Sequence, residues 1–353
     1  MKGRFTMSKV HVAIVGATGA VGTTILEKLI ERNFPYDTIK LLASKRSAGK
    51  EIEVNGQTFV VEETTPEAFE GVQIAFFSAG GTISEKFAEE AVKRGAIVVD
   101  NTSAFRMTEG IPLVVPEVNK EALHSQTGII ANPNCSTIQM VAALQPIREQ
   151  FGLNRVIVST YQAVSGAGSE AIEELQSQAM QFDDRAKIEA TILPSASAEK
   201  HYPIAFNAIP QIDAFDASGY TLEELKMMNE TKKIFGDASI SVAATCVRLP
   251  VVTGHSESVY IEVDRDDVTV QQLHEALQNA PGVVLQDDVT TQTYPMPLFA
   301  EGTDDVFVGR IRQDREVKNG FHLWIVSDNL IKGAALNSVQ IAETLLTENM
   351  IEG

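Results

Sequence analysis

Over residues 10–99 short apolar runs alternate with longer segments whose apolar positions recur every three or four residues. Strand-like runs occupy 10–15, 39–43, 58–61, 74–77 and 96–99, and helical patterns occupy 21–30 and 83–92. This alternation predicts a parallel sheet with helices on both faces. After about residue 134 the texture changes, with strand-like segments at 155–164, 239–252, 258–263, 305–313 and 320–327 and fewer helical patterns between them. They predict a second domain of α+β type, whose mixed or mainly antiparallel sheet is broad enough for a subunit interface. Residues 167–233 are polar and interrupted by Pro194, Pro203 and Pro210, which predicts helices and loops. The stretch 331–349 reads as one amphipathic helix whose apolar stripe needs a partner surface, expected on the first domain. No internal repeat or low-complexity segment interrupts the pattern.

Length supports this division, since 353 residues correspond to about two domains. With 44% hydrophobic and 22% charged residues the chain has ample core-forming material, which excludes wholesale disorder. Lys and Arg total 29 against 47 Asp and Glu, a net charge of −18. Such a field repels phosphodiester backbones and anionic lipid, so neither nucleic acid nor a membrane surface is expected as a partner. No apolar run reaches the roughly 18 residues of a membrane span. The two cysteines, Cys135 and Cys246, and six histidines show neither CxxC nor HExxH spacing. A disulfide scaffold and a metal site are thereby disfavoured, and reduced thiols fit a cytoplasmic location. Met7-Ser8, directly before the first strand pattern, reads as a start, with residues 1–6 as an extension left out of the fold reading.

Chemistry first suggests itself at Gly16-Ala17-Thr18-Gly19-Ala20-Val21-Gly22, between the first strand and the first helix. Glycines there permit a tight turn and close approach of backbone to a pyrophosphate, and the helix N-terminus supplies N–H donors. The spacing is GxxGxxG rather than GxGxxG, and a purely structural strand-to-helix turn is the alternative. At the end of the second strand an NAD protein usually carries a carboxylate for the ribose 2′-hydroxyl. Here Ser44-Lys45-Arg46-Ser47-Ala48-Gly49 has none, and its cations and hydroxyls suit a 2′-phosphate. NADP is favoured, the alternative being a solvated basic loop.

A second constellation is Asn132-Pro133-Asn134-Cys135-Ser136-Thr137, after the apolar run 128–131 and before the helical pattern 138–147. A cysteine at a helix N-terminus is stabilised as thiolate by the dipole, and a thiolate attacks carbonyls. The alternative, an inert buried cysteine, fits Cys246 in its apolar strand better. Arg248, His255, Arg106, Glu223 and Lys226 form a third group. Arginine grips carboxylate or phosphate bidentately, and histidine beside a thiol exchanges its proton. Spacing alone does not bring these five together, and each has an ordinary reading as a surface or satisfied polar residue.

Taken in order, GATGAVG, Ser78-Ala79-Gly80-Gly81, NTSAFRM, NPNCST, Gln162 in STYQAVSGAG, EELK, RLPVVTGHSES and SDNLIKGAA closely resemble the aspartate-semialdehyde dehydrogenase family over nearly the whole chain. That resemblance implies a Rossmann-type dinucleotide-binding domain over 1–134, completed by a C-terminal helix at 330–353, and a catalytic and dimerisation domain over 135–329. It implies NADP-dependent reductive dephosphorylation of 4-aspartyl phosphate to aspartate 4-semialdehyde, on the way to lysine, threonine and methionine. Cys135 is then the nucleophile and His255 the acid–base group, with Gln162 orienting substrate. Glu223 and Arg248 hold its amino and carboxylate ends, Arg106 and Lys226 serve inorganic phosphate, and Asn134 also belongs to the substrate site. NADP is expected on Gly16, Thr18, Gly19, Ala20, Val21, Arg46, Ser47, Ser78, Ser165, Gly166 and Asn329, in a homodimer or homotetramer. The segment before Met7 departs from the family pattern.

Three rivals remain. Short-chain dehydrogenases share the glycine turn but need Tyr-x-x-x-Lys, whose sole instance, Tyr36 to Lys40, falls just before the second strand, away from any pocket. Other acyl-phosphate reductases, of the N-acetyl-glutamyl-phosphate or glyceraldehyde-3-phosphate type, share the cysteine logic with different surroundings. A non-catalytic NADP-sensing regulator would need only the glycine turn.

Overall fold

The structure, a computed structural model, describes residues 9–181, 183, 187–195 and 197–351. The start expected at Met7 and the last two residues of the 330–353 segment lie outside the described residues. The chain divides into two compact units, residues 1–133 with 334–353, and residues 134–333.

The first unit is a doubly wound sheet of seven strands in the order β3-β4-β2-β1-β5-β6-β7. They are β1 (Val10–Val15), β2 (Tyr36–Ala43), β3 (Glu51–Val54), β4 (Gln57–Glu63), β5 (Ile74–Phe77), β6 (Ile97–Asp100) and β7 (Ile129–Ala131). All pairings are parallel except the β3–β4 hairpin. Alternation along β1 sets the layers, since successive side chains point to opposite faces. Val10, Val12 and Ile14 enter a core with Ile25, Leu26 and Leu29 of α1 (Ala20–Glu31) and with Val339, Ile341 and Leu345 of α9 (Leu336–Thr347). Ala13 and Val15 enter the opposite core with Phe87, Ala88 and Ala91 of α2 (Gly81–Lys93), where Phe69 stacks on Phe77. Full burial of each larger side chain contributes about 1.5–3 kcal/mol. A short α3 (Pro116–Asn119) also packs on α9.

Two local expectations need correction in this unit. The run 58–61 is one arm of a hairpin, because Asn55 and Gly56 take left-handed φ of 49° and 74° and fold β3 onto β4. The helix expected over 331–349 is not one α-helix: a π-helical turn at Ile331–Ala335 precedes α9.

The second unit holds a mixed sheet of six strands in the order β11-β12-β13-β10-β8-β9. They are β8 (Arg155–Gln162), β9 (Ser241–Arg248), β10 (His255–Glu262), β11 (Val283–Leu285), β12 (Val306–Gln313) and β13 (Gly320–Ser327). β10 begins at His255, three residues before the expected start, because His255 pairs with Ser327 in the β13 ladder after Gly254 turns the chain at φ 93°. β11 carried no clear pattern. Three helices pack together or on the sheet, α4 (Cys135–Phe151), α6 (Leu222–Phe235) and α7 (Val270–Gln278), while α5 (Ser169–Ala179) and the short α8 (Pro297–Ala300) lie in the connections. A capping box between Thr221 and Glu224 starts α6, and left-handed Gly236 ends it. Alternate residues of the central strands, among them Ile157, Tyr161, Tyr260, His322 and Trp324, are less buried than their neighbours. Tyr161 and Trp324 pack ring on ring 5.4 Å apart.

Candidate active site

In the first unit the strand order reverses around β1, and the crevice at the carboxyl ends of β1 and β5 is where such sheets bind ligands. Gly16 follows β1 at φ +86°, and a Cβ there would lie 2.8 Å from the Ala79 nitrogen. A Cβ on Gly22 would collide with the Gly16 carbonyl oxygen. Both glycines are therefore demanded by the fold. Gly19 differs, because its Cβ would come no closer than 3.4 Å, to the Gly16 oxygen, and Thr18, Gly19 and Ala20 are exposed. No packing within the unit requires glycine at 19. Val21 is half-buried in the first turn of α1.

The turn that follows β2 lies beside this one, since Gly16 N donates to Leu42 O at 2.8 Å. Lys45 and Arg46 are exposed on it, and Ser47 is buried with its N–H on Ser44 O. The Ser78 hydroxyl donates to Val15 O at 3.0 Å, tying the ends of β5 and β1. Arg106 is buried, with Nε donating to Asn132 O and Nη2 to Asn101 O, each at 2.9 Å.

In the second unit Cys135 is the first residue of α4. Asn134 caps that helix, its Oδ1 accepting from Ser136 N at 3.0 Å and Thr137 N at 3.3 Å. Asn134 is held in turn, since its N–H donates to Glu230 at 2.7 Å and its Nδ2 to Glu223 Oε1 at 2.8 Å. Gln162, the last residue of β8, also donates to Glu223 Oε1, at 3.1 Å. Lys226, one turn along α6, bridges Glu223 at 3.2 Å and Asp213 at 2.9 Å. Burial alone would raise the Glu223 pKa, but Lys226, the Asn134 and Gln162 amides and Arg248 together bring it down to about 2. Lys226 is pushed up: burial opposes its charge, and Glu223 and Asp213 overcome that.

His255 and Arg248 complete the cluster. The Ala163 N–H donates to His255 Nδ1 at 3.1 Å. A backbone donor in that place puts the proton of the neutral ring on Nε2, which lies 3.3 Å from Gln162 Nε2. Burial, and then the positive charge of Arg248, lower the His255 pKa to about 3. Arg248 ends β9 almost fully buried, Nη1 donating to Ala163 O at 2.6 Å and Nε without a hydrogen-bond partner among the described residues. Its charge acts on both Glu223 and Cys135. Gly166 lies against this pair, where a Cβ would sit 3.0 Å from Arg248 Nη1 and 3.2 Å from His255 Nε2. Asn329 links the same loops, accepting from Gly254 N at 2.9 Å and donating to Ser165 Oγ at 3.0 Å. Chemically this is a thiol at a helix N-terminus beside a guanidinium, a neutral imidazole, an ionised carboxylate and an amide. Cys246 is unlike Cys135, since burial pushes its thiol pKa up and it is enclosed in β9.

Residues 11–126 match the family described as semialdehyde dehydrogenase, NAD binding domain, and residues 144–332 match semialdehyde dehydrogenase, dimerisation domain. An aspartate-semialdehyde dehydrogenase of Bacillus subtilis is 64% identical over 341 residues, spanning 97% of this chain and 99% of the relative. The chain belongs to the aspartate-semialdehyde dehydrogenase family. Solved structures of the family agree in fold. Aspartate semialdehyde dehydrogenase II of Vibrio cholerae, complexed with ASA, superimposes with a TM-score of 0.91 at 47% identity, covering 97% of this chain and 99% of that one. The Candida albicans enzyme with NADP gives 0.76 at 26% identity, over 98% and 100%.

Of the residues that the resemblance to this family singled out, Asn134, Cys135, Gln162, Glu223, Lys226, Arg248 and His255 meet in the second unit, with Ser165, Gly166 and Asn329 on adjoining loops. Gly16, Thr18, Gly19, Ala20, Val21, Arg46, Ser47, Ser78 and Arg106 belong to the first unit. Sequence reasoning passed over Asp213, which holds Lys226, and Gln139 and Glu257, polar residues enclosed in this family member's second unit. Each left a signal: Gln139 interrupts the apolar run 138–144 one helical turn after Cys135, and Glu257 shares the strand parity of His255. Among the described residues no helix is long and apolar enough to cross a membrane, and no group of three His, Cys, Asp or Glu residues is placed to hold a metal ion.

Proposed function

We propose that the protein is an NADP-dependent aspartate-semialdehyde dehydrogenase that converts 4-aspartyl phosphate to aspartate 4-semialdehyde and phosphate through a Cys135 thioester, in lysine, threonine and methionine biosynthesis. The observation that carries this reading is the placement of Cys135 at the start of α4 within the field of Arg248, with Gln162 hydrogen-bonded to Glu223 and its amide nitrogen 3.3 Å from His255 Nε2. Helix N–H groups and the guanidinium both favour thiolate.

The thiolate attacks the acyl carbon, the C–O bond to phosphate breaks, and the acyl group remains on Sγ as a thioester. Arg248, buried with an unused N–H, is suited to grip the substrate carboxylate, and ionised Glu223 to hold its ammonium group. A bound cofactor would supply, as NADPH, the hydride that turns the thioester into a thiohemiacetal, and would accept it as NADP in the reverse direction. As the acid–base group, neutral His255 donates its Nε2–H in a hydrogen bond to the hemiacetal oxygen as negative charge builds there, and when that oxygen re-forms the carbonyl the C–S bond breaks, freeing aldehyde and thiolate. Because the imidazole is uncharged, it donates without repelling Arg248. Arg106 and Lys226 are assigned to phosphate. Lys226 is already shared between two carboxylates, so it also fixes Glu223.

The residues of the glycine turn fit the dinucleotide: Gly19 leaves room where the fold needs none, and the exposed Lys45-Arg46 turn lacks the carboxylate that would repel a 2′-phosphate. The first unit is assigned to the cofactor, through Gly16, Thr18, Gly19, Ala20, Val21, Arg46, Ser47 and Ser78, with Ser165, Gly166 and Asn329 of the second unit as further contacts. The second unit is assigned to substrate and to the partner subunit of a homodimer or homotetramer. The less buried sheet positions Ile157, Tyr161 and Trp324 support that interface. A net charge of −18 and two free thiols fit a cytoplasmic enzyme.

The test is reduction of NADP by aspartate semialdehyde, followed by absorbance with and without inorganic phosphate. Turnover should require phosphate, and Cys135→Ala should abolish it while NADP still binds. Steady turnover without phosphate, or activity surviving in Cys135→Ala, would contradict the reading.

A further inference from the structure

Cys135 and Gln139 are four residues apart on α4, so Gln139 lies one turn below the nucleophile on the same helix face. Its side chain is fully buried. Nε2 donates to the backbone carbonyl of His255 at 3.3 Å, and Oε1 accepts from Ser327 Oγ at 2.8 Å. His255 and Ser327 are cross-strand partners at the ends of β10 and β13. One carboxamide therefore binds both strands of the ladder where the imidazole begins. Two residues farther along β10, Glu257 is wholly buried on the same face as His255, and its oxygens have no hydrogen-bond partner of full geometry among the described residues. The polar side chain that acts on it is Gln139.

We propose that Gln139 is a positioning residue: its carboxamide sets the spacing between the helix that carries Cys135 and the strand end that carries His255. Two features of the cluster lead there. A buried amide in an apolar helix face destabilises unless both its ends are satisfied, and here both ends are, by the two strands that frame His255. A leucine would fill the space as well without fixing the separation. Glu257 adds a second cost, for burial pushes its pKa well above the ordinary carboxylate range. An apolar residue in the middle of β10 would be the more stable choice, so a function of the cluster accounts for both polar groups better than packing does.

The inference rests on the Cys135–His255 chemistry proposed above, and its test separates the two. In the phosphate-dependent oxidation of semialdehyde, Gln139→Leu should lower kcat by about 10- to 100-fold, the effect of displacing reacting groups by up to an ångström. KM for semialdehyde and the rate of Cys135 alkylation by iodoacetamide should stay within about twofold, because neither depends on where the imidazole sits. A kcat in Gln139→Leu within twofold of the unaltered chain overturns the proposal. So does a fall in alkylation rate parallel to kcat. If the unaltered chain shows no phosphate-dependent turnover, the proposed activity itself fails, a result distinct from an active chain whose variant equals it.

Discussion

His255 is neutral in the folded chain, and that has a consequence for stability as well as for catalysis. Its folded pKa of about 3 lies below the ordinary 6.5. Below pH 6.5 the unfolded chain gains a proton that the folded chain refuses, so the stability present above that pH is lost as pH falls toward 3. Glu223 acts in the same sense lower down: its contribution is present above 4.5 and fades toward about 2. Glu257, whose pKa is raised, contributes most below 4.5 and loses that contribution as pH rises toward its folded value. Thermal melts from about pH 7 to about pH 4 should therefore show a shallower fall in Tm for His255→Asn than for the unaltered chain. Equal slopes would mean the buried imidazole is not neutral as described. Chemistry-bearing residues such as Cys135 and His255 could be named from the sequence, because Asn-Cys-Ser and Gly-His-Ser are polar breaks in apolar surroundings. Their meeting could not, since it depends on the β8–β10–β13 register and on α6 presenting Glu223 to the end of β8.

At the scale of elements, the glycine turn contains two kinds of glycine. Gly22 is required because its α1 backbone packs against the Gly16 carbonyl, whereas a Cβ on Gly19 would meet only an ordinary contact, 3.4 Å from the Gly16 oxygen. Gly22→Ala should therefore lose about 1–3 kcal/mol of stability through overpacking and lose NADP affinity with it. Gly19→Ala should keep its stability within about 0.5 kcal/mol and weaken NADP binding at least as much. Thermal melts beside cofactor titrations separate them, and normal NADP affinity in Gly19→Ala would remove the dinucleotide from that turn. Regular elements were readable where one periodicity ran unbroken, as in β1, α1 and α2. The hairpin of β3 and β4 was passed over although Asn55-Gly56 announces it, because β3 is four residues long, too short for its alternation to stand out. The π-helical turn at 331–335 leaves the apolar spacing of 331–349 nearly that of a continuous helix, so periodicity could not reveal it. There Gly333 lies against Cys135, its Cβ position 2.8 Å from Cys135 Cβ.

For the molecule as a whole, alternating strand and helix patterns were enough to predict a doubly wound first unit, and the later strands a mixed sheet, because layer architecture follows from which faces must be buried. Strand order and the edge strand β11 were not readable, since pairing is a matter of long-range geometry that local pattern does not encode. The function assigned to this fold stands or falls on a covalent intermediate at Cys135. The most direct measurement mixes enzyme with aspartate semialdehyde and NADP in the absence of phosphate, records NADPH formed, and then locates the acyl group by peptide mass spectrometry. The account expects a single burst of about one NADPH per active site, an aspartyl thioester on Cys135, and steady turnover only once phosphate is added. No burst, or an acyl group on Cys246 or on no cysteine at all, would contradict it.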